Sequence, residues 1–205
     1  IIIADSGLLS NTNIAELSEK NYEFIIGARI KNESAAVKEK ILSLKLVNGN
    51  SAVIKRGNLK LVISYSDDRA KKDAYNRDKG LRRLDKLIKR GRLTKSNINN
   101  RGYNKFLKLE GEVAVSLDKD GIAKEAAWDG LKGYITNTTL SKDQIIENYQ
   151  HLWQIEKAFR ISKTDLKIRP IYHRLQRRIE AHICLTFAAY KVYKELERQL
   201  HDKKI

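Results

Sequence analysis

A chain of 205 residues with a single cysteine cannot be a disulfide-stapled miniprotein, and 41% apolar against 32% charged residues is the balance of a folded domain rather than of a disordered basic tail. Lys and Arg outnumber Asp and Glu by 41 to 25, a formal charge of +16, which points to a polyanionic partner such as nucleic acid or an anionic membrane surface. The longest notable apolar run, Ile183 to Tyr190, falls far short of the roughly 20 residues of a membrane span, so no transmembrane segment is expected.

Ile1-Ile2-Ile3-Ala4 is a continuous apolar run, the pattern of a strand covered on both faces, and Asp5-Ser6-Gly7 supplies turn and capping residues after it. A carboxylate therefore stands at a strand's end. With no Met and no leader before this strand, the chain reads as a fragment that starts inside a fold. Asn11 or Asn13 can cap a short helix through Lys20, and Tyr22 to Ile30 reads as a second buried strand around Phe24-Ile25-Ile26. From about Lys31 the texture turns to short polar stretches, with a turn at Val47-Asn48-Gly49-Asn50 and an alternating, half-buried strand from Leu59 to Tyr65.

Asp67 to Arg92 reads as a highly charged helix whose Ala70, Ala74, Leu81, Leu84 and Ile88 form a narrow apolar stripe. Its other faces carry mostly Lys and Arg, which suits either a solvated surface or a DNA backbone contact. Asn97 to Gly102 is a loop. Phe106 to Leu117, the turn Asp118-Lys119-Asp120-Gly121 and Ile122 to Trp128 read as a hairpin, followed by a turn at Asp129-Gly130 and a short strand from Leu131 to Ile135. Asp67, Asp68, Asp118, Asp120 and Asp129 lie in or beside turns, where capping accounts for them.

The last third is helical. Ser141 and Gln144 form a capping box, periodicity runs to about Leu166, and Arg169-Pro170 interrupts it. A second helix from about His173 to Gln199 is expected to bury Ile179, Ile183, Phe187 and Tyr190, with Cys184 as an inert buried thiol and His182 as a hydrogen-bonded interior histidine. Trp128 and Trp153 read as core residues, with stacking on an unpaired base as the alternative. On the first helix Tyr149, Glu156 and Lys163 recur every seven residues, drift only about 20° per step and share one face, with Arg160 on the same side. That face suits a helix lying along a phosphodiester while Glu156 meets a metal; taken alone, it also describes a solvated Glu-Lys ladder.

The order of these pieces narrows the choice. An Asp after a buried strand, a strand-rich stretch, a short strand and then a helix with an inward Glu is how a ribonuclease H-like core presents carboxylates to divalent metals. The chain resembles the C-terminal part of a bacterial insertion-sequence transposase with an Asp-Asp-Glu triad, in the branch with a Tyr-Arg-Glu-Lys signature. The residues carrying the resemblance are Ala4 to Leu9, Gly27-Ala28-Arg29, Arg69 to Asp73, Gly133 to Asn137, Tyr149 to Lys163, Arg169 to His173 and Ile179 to His182. The Arg position of the signature holds Leu152, and Arg160 or His151 can substitute.

The resemblance implies an α/β fold: a ribonuclease H-like core from residues 1–31 and 130–205, incomplete at its N-terminus, a β-rich insertion over 32–129 with the basic helix near 67–92, and C-terminal helices. It makes Asp5 and Glu156 the catalytic, metal-binding carboxylates, the triad's first aspartate lying before this chain, and implies two Mg²⁺ or Mn²⁺ ions about 4 Å apart in the intact enzyme. Tyr149, Arg160, Lys163, Arg169 and His173 are the implied DNA contacts. The implied partners are double-stranded DNA at transposon ends and targets and a second copy of the chain in the DNA complex, in the bacterial cytoplasm at the nucleoid. The isolated chain is expected to bind DNA without cutting it. A ribonuclease H-like nuclease and a non-catalytic DNA-binding remnant are the alternatives.

Overall fold

The computed structural model describes residues 1–110 and 114–203. It is a mixed α/β chain that divides into two compact units, residues 1–146 and residues 147–205.

The first unit is built on a five-stranded sheet. Its strands are β1 (Ile2–Ala4), β2 (Phe24–Ala28), β3 (Ser51–Arg56), β4 (Leu59–Tyr65) and β7 (Leu131–Thr136), in the spatial order β1-β2-β7-β4-β3. Only β1 and β2 run parallel, Ala4 opposite Ile26; every other pairing is antiparallel. The helix α1 (Asn11–Glu19) supplies the crossover that a parallel pair requires, and its cap is Ser10, whose hydroxyl accepts the Asn13 N–H, rather than either asparagine. Residues 51–65, from the stretch expected to be inserted, thus contribute two strands to the same sheet as β1 and β2.

Register explains the core. Ile26, Ile135, Leu61 and Ile54 lie opposite one another across four strands and share one face with Ala4, Phe24 and Ile63. Against that face pack Ile14 and Leu17 of α1 and Val37 and Ile41 of α2 (Ala35–Ser43), a helix that the polar texture after Lys31 conceals. Ile25, Val62, Tyr134 and Thr136 on the opposite face are buried too. Leu59 to Tyr65 is therefore an interior strand with Leu61, Val62 and Ile63 all enclosed, not the half-buried strand expected. Conversely Ile1 and Ile2, expected to be covered, are exposed at the sheet's edge.

The end of β7 is stitched to β2 by side chains. The Asn137 carboxamide accepts the Phe24 N–H at 2.9 Å and donates to the Tyr22 carbonyl at 2.9 Å, while the Thr136 hydroxyl donates to the Phe24 carbonyl at 2.5 Å. One amide side chain thereby does the work of a peptide group in a ladder.

The basic helix is α3 (Asp67–Lys89), capped by Ser66 with Asp67 and Asp68 in its first turn, as its dipole favours. Arg69 donates from Nε to the Leu131 carbonyl at 3.2 Å, and Asp73 accepts the Gly130 N–H at 3.3 Å, so the Arg69 to Asp73 motif docks α3 on the turn before β7. Gly130 itself has φ +79°, and a Cβ there would stand 2.6 Å from the Tyr65 ring. Asp129 is no cap: Arg77 pairs with it at 2.6 Å, both side chains largely buried.

The hairpin expected over 106–128 is corrected. The hairpin is shorter, β5 (Leu107–Glu110) against β6 (Ala114–Leu117), with residues 111–113 of the expected strand outside the described residues. Lys119–Ala126 then forms a helix, α4, because the apparent turn Asp118 to Gly121 is its beginning and Ala123, Glu125 and Ala126 favour helix over strand.

The helical segments begin with α5 (Lys142–Gln150), whose capping box is made: Gln144 N–H donates to Ser141 Oγ at 3.3 Å and Ser141 N–H to Gln144 Oε1 at 3.1 Å. A break at His151 separates α5 from α6 (Leu152–Thr164), and the second unit ends in α7 (Gln176–Asp202). α6 and α7 are tied by Glu197, which accepts from both Lys157 and Lys194. Three expectations for this unit fail. Phe187 is 65% exposed, Trp153 is 57% exposed and Cys184 is exposed, so these positions on α6 and α7 are not enclosed as the apolar periodicity predicts. Among the described residues no helix is long and apolar enough to cross a membrane.

Candidate metal carboxylates and nucleic-acid interface

Asp5 belongs to the first unit. It follows the last residue of β1, beside the parallel strand β2, at the carboxyl ends of the pair, which is where α/β sheets characteristically place ligand-binding groups. The side chain is exposed and opens a 3-10 turn over Ser6–Leu8, its Oδ1 accepting the Gly7 N–H at 2.8 Å. The carboxylate accepts no other hydrogen bond among the described residues, which leaves Oδ2 available. A half-occupied, solvent-facing carboxylate is the donor type that a hard divalent cation takes. Among the described residues, however, no group of three or more His, Cys, Asp or Glu side chains gathers to hold a metal.

The other sequence-derived candidates lie on the second unit. Glu156, Arg160 and Lys163 are exposed on α6, with Glu156 and Arg160 one turn apart and Lys163 one turn further on. Tyr149 differs from them in burial. It sits on α5, before the break at His151, and its ring is buried. His151 itself keeps helical dihedrals, φ −61° and ψ −17°, so the backbone passes from α5 into α6 within the helical region. Lys163 and Arg169 line an apolar cavity of about 610 Å³ together with Phe159, Ile183 and Phe187, the Lys163 ammonium lying 5.4 Å from the centre of the Phe159 ring. His173 is exposed and meets His182 edge to face at 5.6 Å; His182 is half-buried, with Nε2 3.3 Å from the Ile168 carbonyl, close to the interior histidine expected.

A further site was not visible in the sequence. In the first unit, a cleft of about 670 Å³ opens between the ends of β2 and β7, α3, α4 and the 3-10 turn Gly102–Phe106. Six cations line it, Arg29, Lys31, Arg69, Arg77, Lys105 and Lys132, against three carboxylates, Asp73, Glu125 and Asp129. The carboxylates are engaged: Asp129 by Arg77, Asp73 by Arg69 at 3.6 Å, and Glu125 by both Lys31 and Lys105. Burial pushes the Glu125 carboxyl up, but its two ammonium partners outweigh burial and hold it below the ordinary carboxylate value. The Asp129 carboxylate holds the Arg77 guanidinium above its ordinary value against the opposing effect of burial. The excess of three positive charges in a concave, partly apolar wall favours an anionic chain such as a phosphodiester backbone. Trp128 packs against the sheet's core and also lines this cleft, so the core reading and the base-contact reading of that residue meet at one position. These residues span positions 28–133, so no local spacing announces the cleft; the one signal in the sequence was the pair of short motifs ending at Arg29 and starting at Arg69.

The model of a protein family described as a transposase DDE domain matches residues 1–191. A search of the curated proteins returned no match, and a search of the solved structures returned none. The family match takes in both units, from Asp5 through Glu156 to most of α7, and so covers nearly the whole sequence. The chain belongs to the transposase DDE domain family.

Proposed function

We propose that the chain carries two carboxylates of a metal-dependent DNA transposase, Asp5 and Glu156, in the Tyr-Arg-Glu-Lys branch of the family. The proposed frame is a ribonuclease H-like core over residues 1–31 and 130–205 with 32–129 as its insertion. The observation that carries the reading is Asp5: an exposed carboxylate at the carboxyl end of a parallel strand, with one oxygen uncommitted, in a chain matched to this family from end to near end.

Asp5 and Glu156 would contribute oxygen ligands to Mg²⁺ or Mn²⁺, which when bound activates a water or a DNA 3′ hydroxyl and stabilises the leaving oxygen of a phosphodiester. Arg160, Lys163 and Arg169, all exposed, would neutralise phosphates along the DNA strand, with His173 beyond them and Tyr149 completing the set carried over by resemblance. The cleft walled by Arg29, Arg69 and Lys132 would hold a further stretch of backbone, with Trp128 against a base. The substrate is double-stranded DNA at transposon ends and targets, engaged with a second copy of the chain, at the nucleoid. Because the resemblance places only two of three carboxylates on this sequence, the 205-residue chain binds DNA and does not cut it alone.

Two measurements on the chain test this. Duplex binding followed by fluorescence anisotropy should weaken steeply with salt, and Lys163→Ala should lower the slope of log K against log salt by about 0.9, one phosphate contact. Binding that ignores salt would overturn the reading. In a nicking assay with Mg²⁺ or Mn²⁺ no cutting is expected; cutting that disappears in Glu156→Gln would show that two carboxylates suffice. Strand transfer by a completed enzyme separates a transposase from a plain nuclease.

A further inference from the structure

We infer that Arg29 is a positioning residue for the Asp5 carboxylate, working with Gly7. The inference rests on the reading of Asp5 as a metal ligand and adds to it what holds that ligand in place. β1 and β2 are parallel neighbours in register, Ala4 opposite Ile26, so the chain leaves both strands at the same edge of the sheet. Arg29, the first residue after β2, reaches back across that edge, and its Nε donates to the Ser6 carbonyl at 3.0 Å. The anchored carbonyl belongs to the residue directly after Asp5. One residue further, the Gly7 N–H donates to Asp5 Oδ1 at 2.8 Å.

The turn around Asp5 is thus pinned from two sides. Arg29 holds its backbone to β2, and Gly7 holds one carboxylate oxygen. Gly7 has little latitude: a Cβ there would stand 2.9 Å from Asp5 Oδ1, so any larger residue must displace the very oxygen that the N–H fixes. Asp5 and Gly7 are exposed, and the turn is closed locally by Leu8 N–H to the Asp5 carbonyl at 3.3 Å and Leu9 N–H to the Ser6 carbonyl at 3.4 Å. To that local pair the Gly7 bond adds the fixing of the carboxylate and the Arg29 bond the tie to the end of β2. A carboxylate so fixed presents Oδ2 in one direction instead of sampling several rotamers, which lowers the entropic cost of accepting a cation. Arg29 also lines the basic cleft, so one guanidinium touches both the turn that holds Asp5 and the wall offered to DNA.

The experiment uses the 205-residue chain, ¹⁵N-labelled, with Mn²⁺ as probe. Without metal, the exchange rate of the Gly7 amide reads the Asp5 hydrogen bond directly. Arg29→Ala should speed that exchange several-fold while amides of β2 and β7 stay as they were, and Arg29→Lys, which keeps a donor, should recover part of the protection. On adding Mn²⁺, signals of Ser6 and Gly7 should broaden in the native chain, require several-fold more metal in Arg29→Ala and Gly7→Ala, and stay sharp in Asp5→Asn. Unchanged Gly7 exchange in Arg29→Ala overturns the positioning role, whatever the metal does. Broadening that persists in Asp5→Asn, or is absent from the native chain, overturns Asp5 as a ligand and with it the inference. Loss of broadening in Asp5→Asn with identical titrations for Arg29→Ala and the native chain leaves Asp5 standing and sinks Arg29 alone.

Discussion

The two units treat their apolar residues in opposite ways. In the first, Phe24, Ile25, Ile26, Leu61, Val62 and Ile63 are enclosed almost completely, and exposed large apolar side chains are scattered. In the second, Phe159, Leu185, Phe187 and Val192 each expose 60% or more of their surface, and what joins α6 to α7 includes charged ties through Glu197. The sheet unit has an enclosed interior, whereas the helical unit exposes several of its large apolar side chains. Hydrophobic burial, the main favourable contribution to folding, is therefore concentrated in residues 1–146. The candidate ligands are split along the same line, with Asp5 on the well-packed unit and Glu156 on the other.

That contrast can be broken or sharpened by measurement. The largest expected effect is in the sheet: Ile26→Ala should cost about 2–5 kcal/mol in denaturant unfolding, whereas Phe187→Ala should change stability by no more than about 0.5 kcal/mol. Equal losses would abolish the distinction. Next comes the largely buried Arg77–Asp129 pair, where Arg77→Ala leaves a carboxylate without its partner and should cost about 1–3 kcal/mol, detectable as a lowered unfolding midpoint. The smallest effect is a pH response of the helical unit. Lys157 and Lys194 hold the Glu197 carboxyl down from the ordinary 4.5 to about 2. A carboxyl depressed on folding contributes stability that is complete above its ordinary value and disappears as pH falls toward the depressed one, so the α6–α7 tie should loosen between pH 4.5 and about 2. The two tryptophans report separately, Trp153 from the helical unit, where the Lys157 ammonium sits 6.0 Å from its ring, and Trp128 from the sheet unit. In Trp128→Phe the remaining emission should shift through that window; a flat signal would show that Glu197 does not couple the helices.

What the sequence revealed follows from where local pattern and tertiary environment agree. Ile2–Ala4 and Phe24–Ile26 are uninterrupted apolar runs, and both are strands of one parallel pair, β2 enclosed and β1 at the sheet's edge. The Ser141–Gln144 box was legible because both hydrogen bonds are local. The helix α2 was hidden because it buries a single residue, Ile41, and so shows little periodicity. The helix α4 was misread because Asp118 to Gly121 has the composition of a turn, and a helix N-terminus uses the same residues. Nothing at His151 announces the break between α5 and α6, since neither Gly nor Pro stands there, and Tyr149 is set apart from the exposed Glu156 by its burial, which a seven-residue spacing does not report. The basic cleft was out of reach because its residues meet only when β2, α3, α4 and β7 are assembled. Asp5 was legible as a carboxylate at a strand end; that Arg29 holds its turn needs the parallel register to be seen.

The carboxamide of Asn137 has a chemical consequence. Its two ends face the Phe24 N–H at the start of β2 and the Tyr22 carbonyl just before it, so the pairing tolerates no exchange of nitrogen for oxygen. Spontaneous deamidation would leave an anionic oxygen against the Tyr22 carbonyl, turning attraction into repulsion at the seam where β7 ends. Ageing of one side chain, with scarcely any change in mass, would weaken that end of the sheet, leaving the Thr136 hydroxyl and the β2–β7 ladder to hold it.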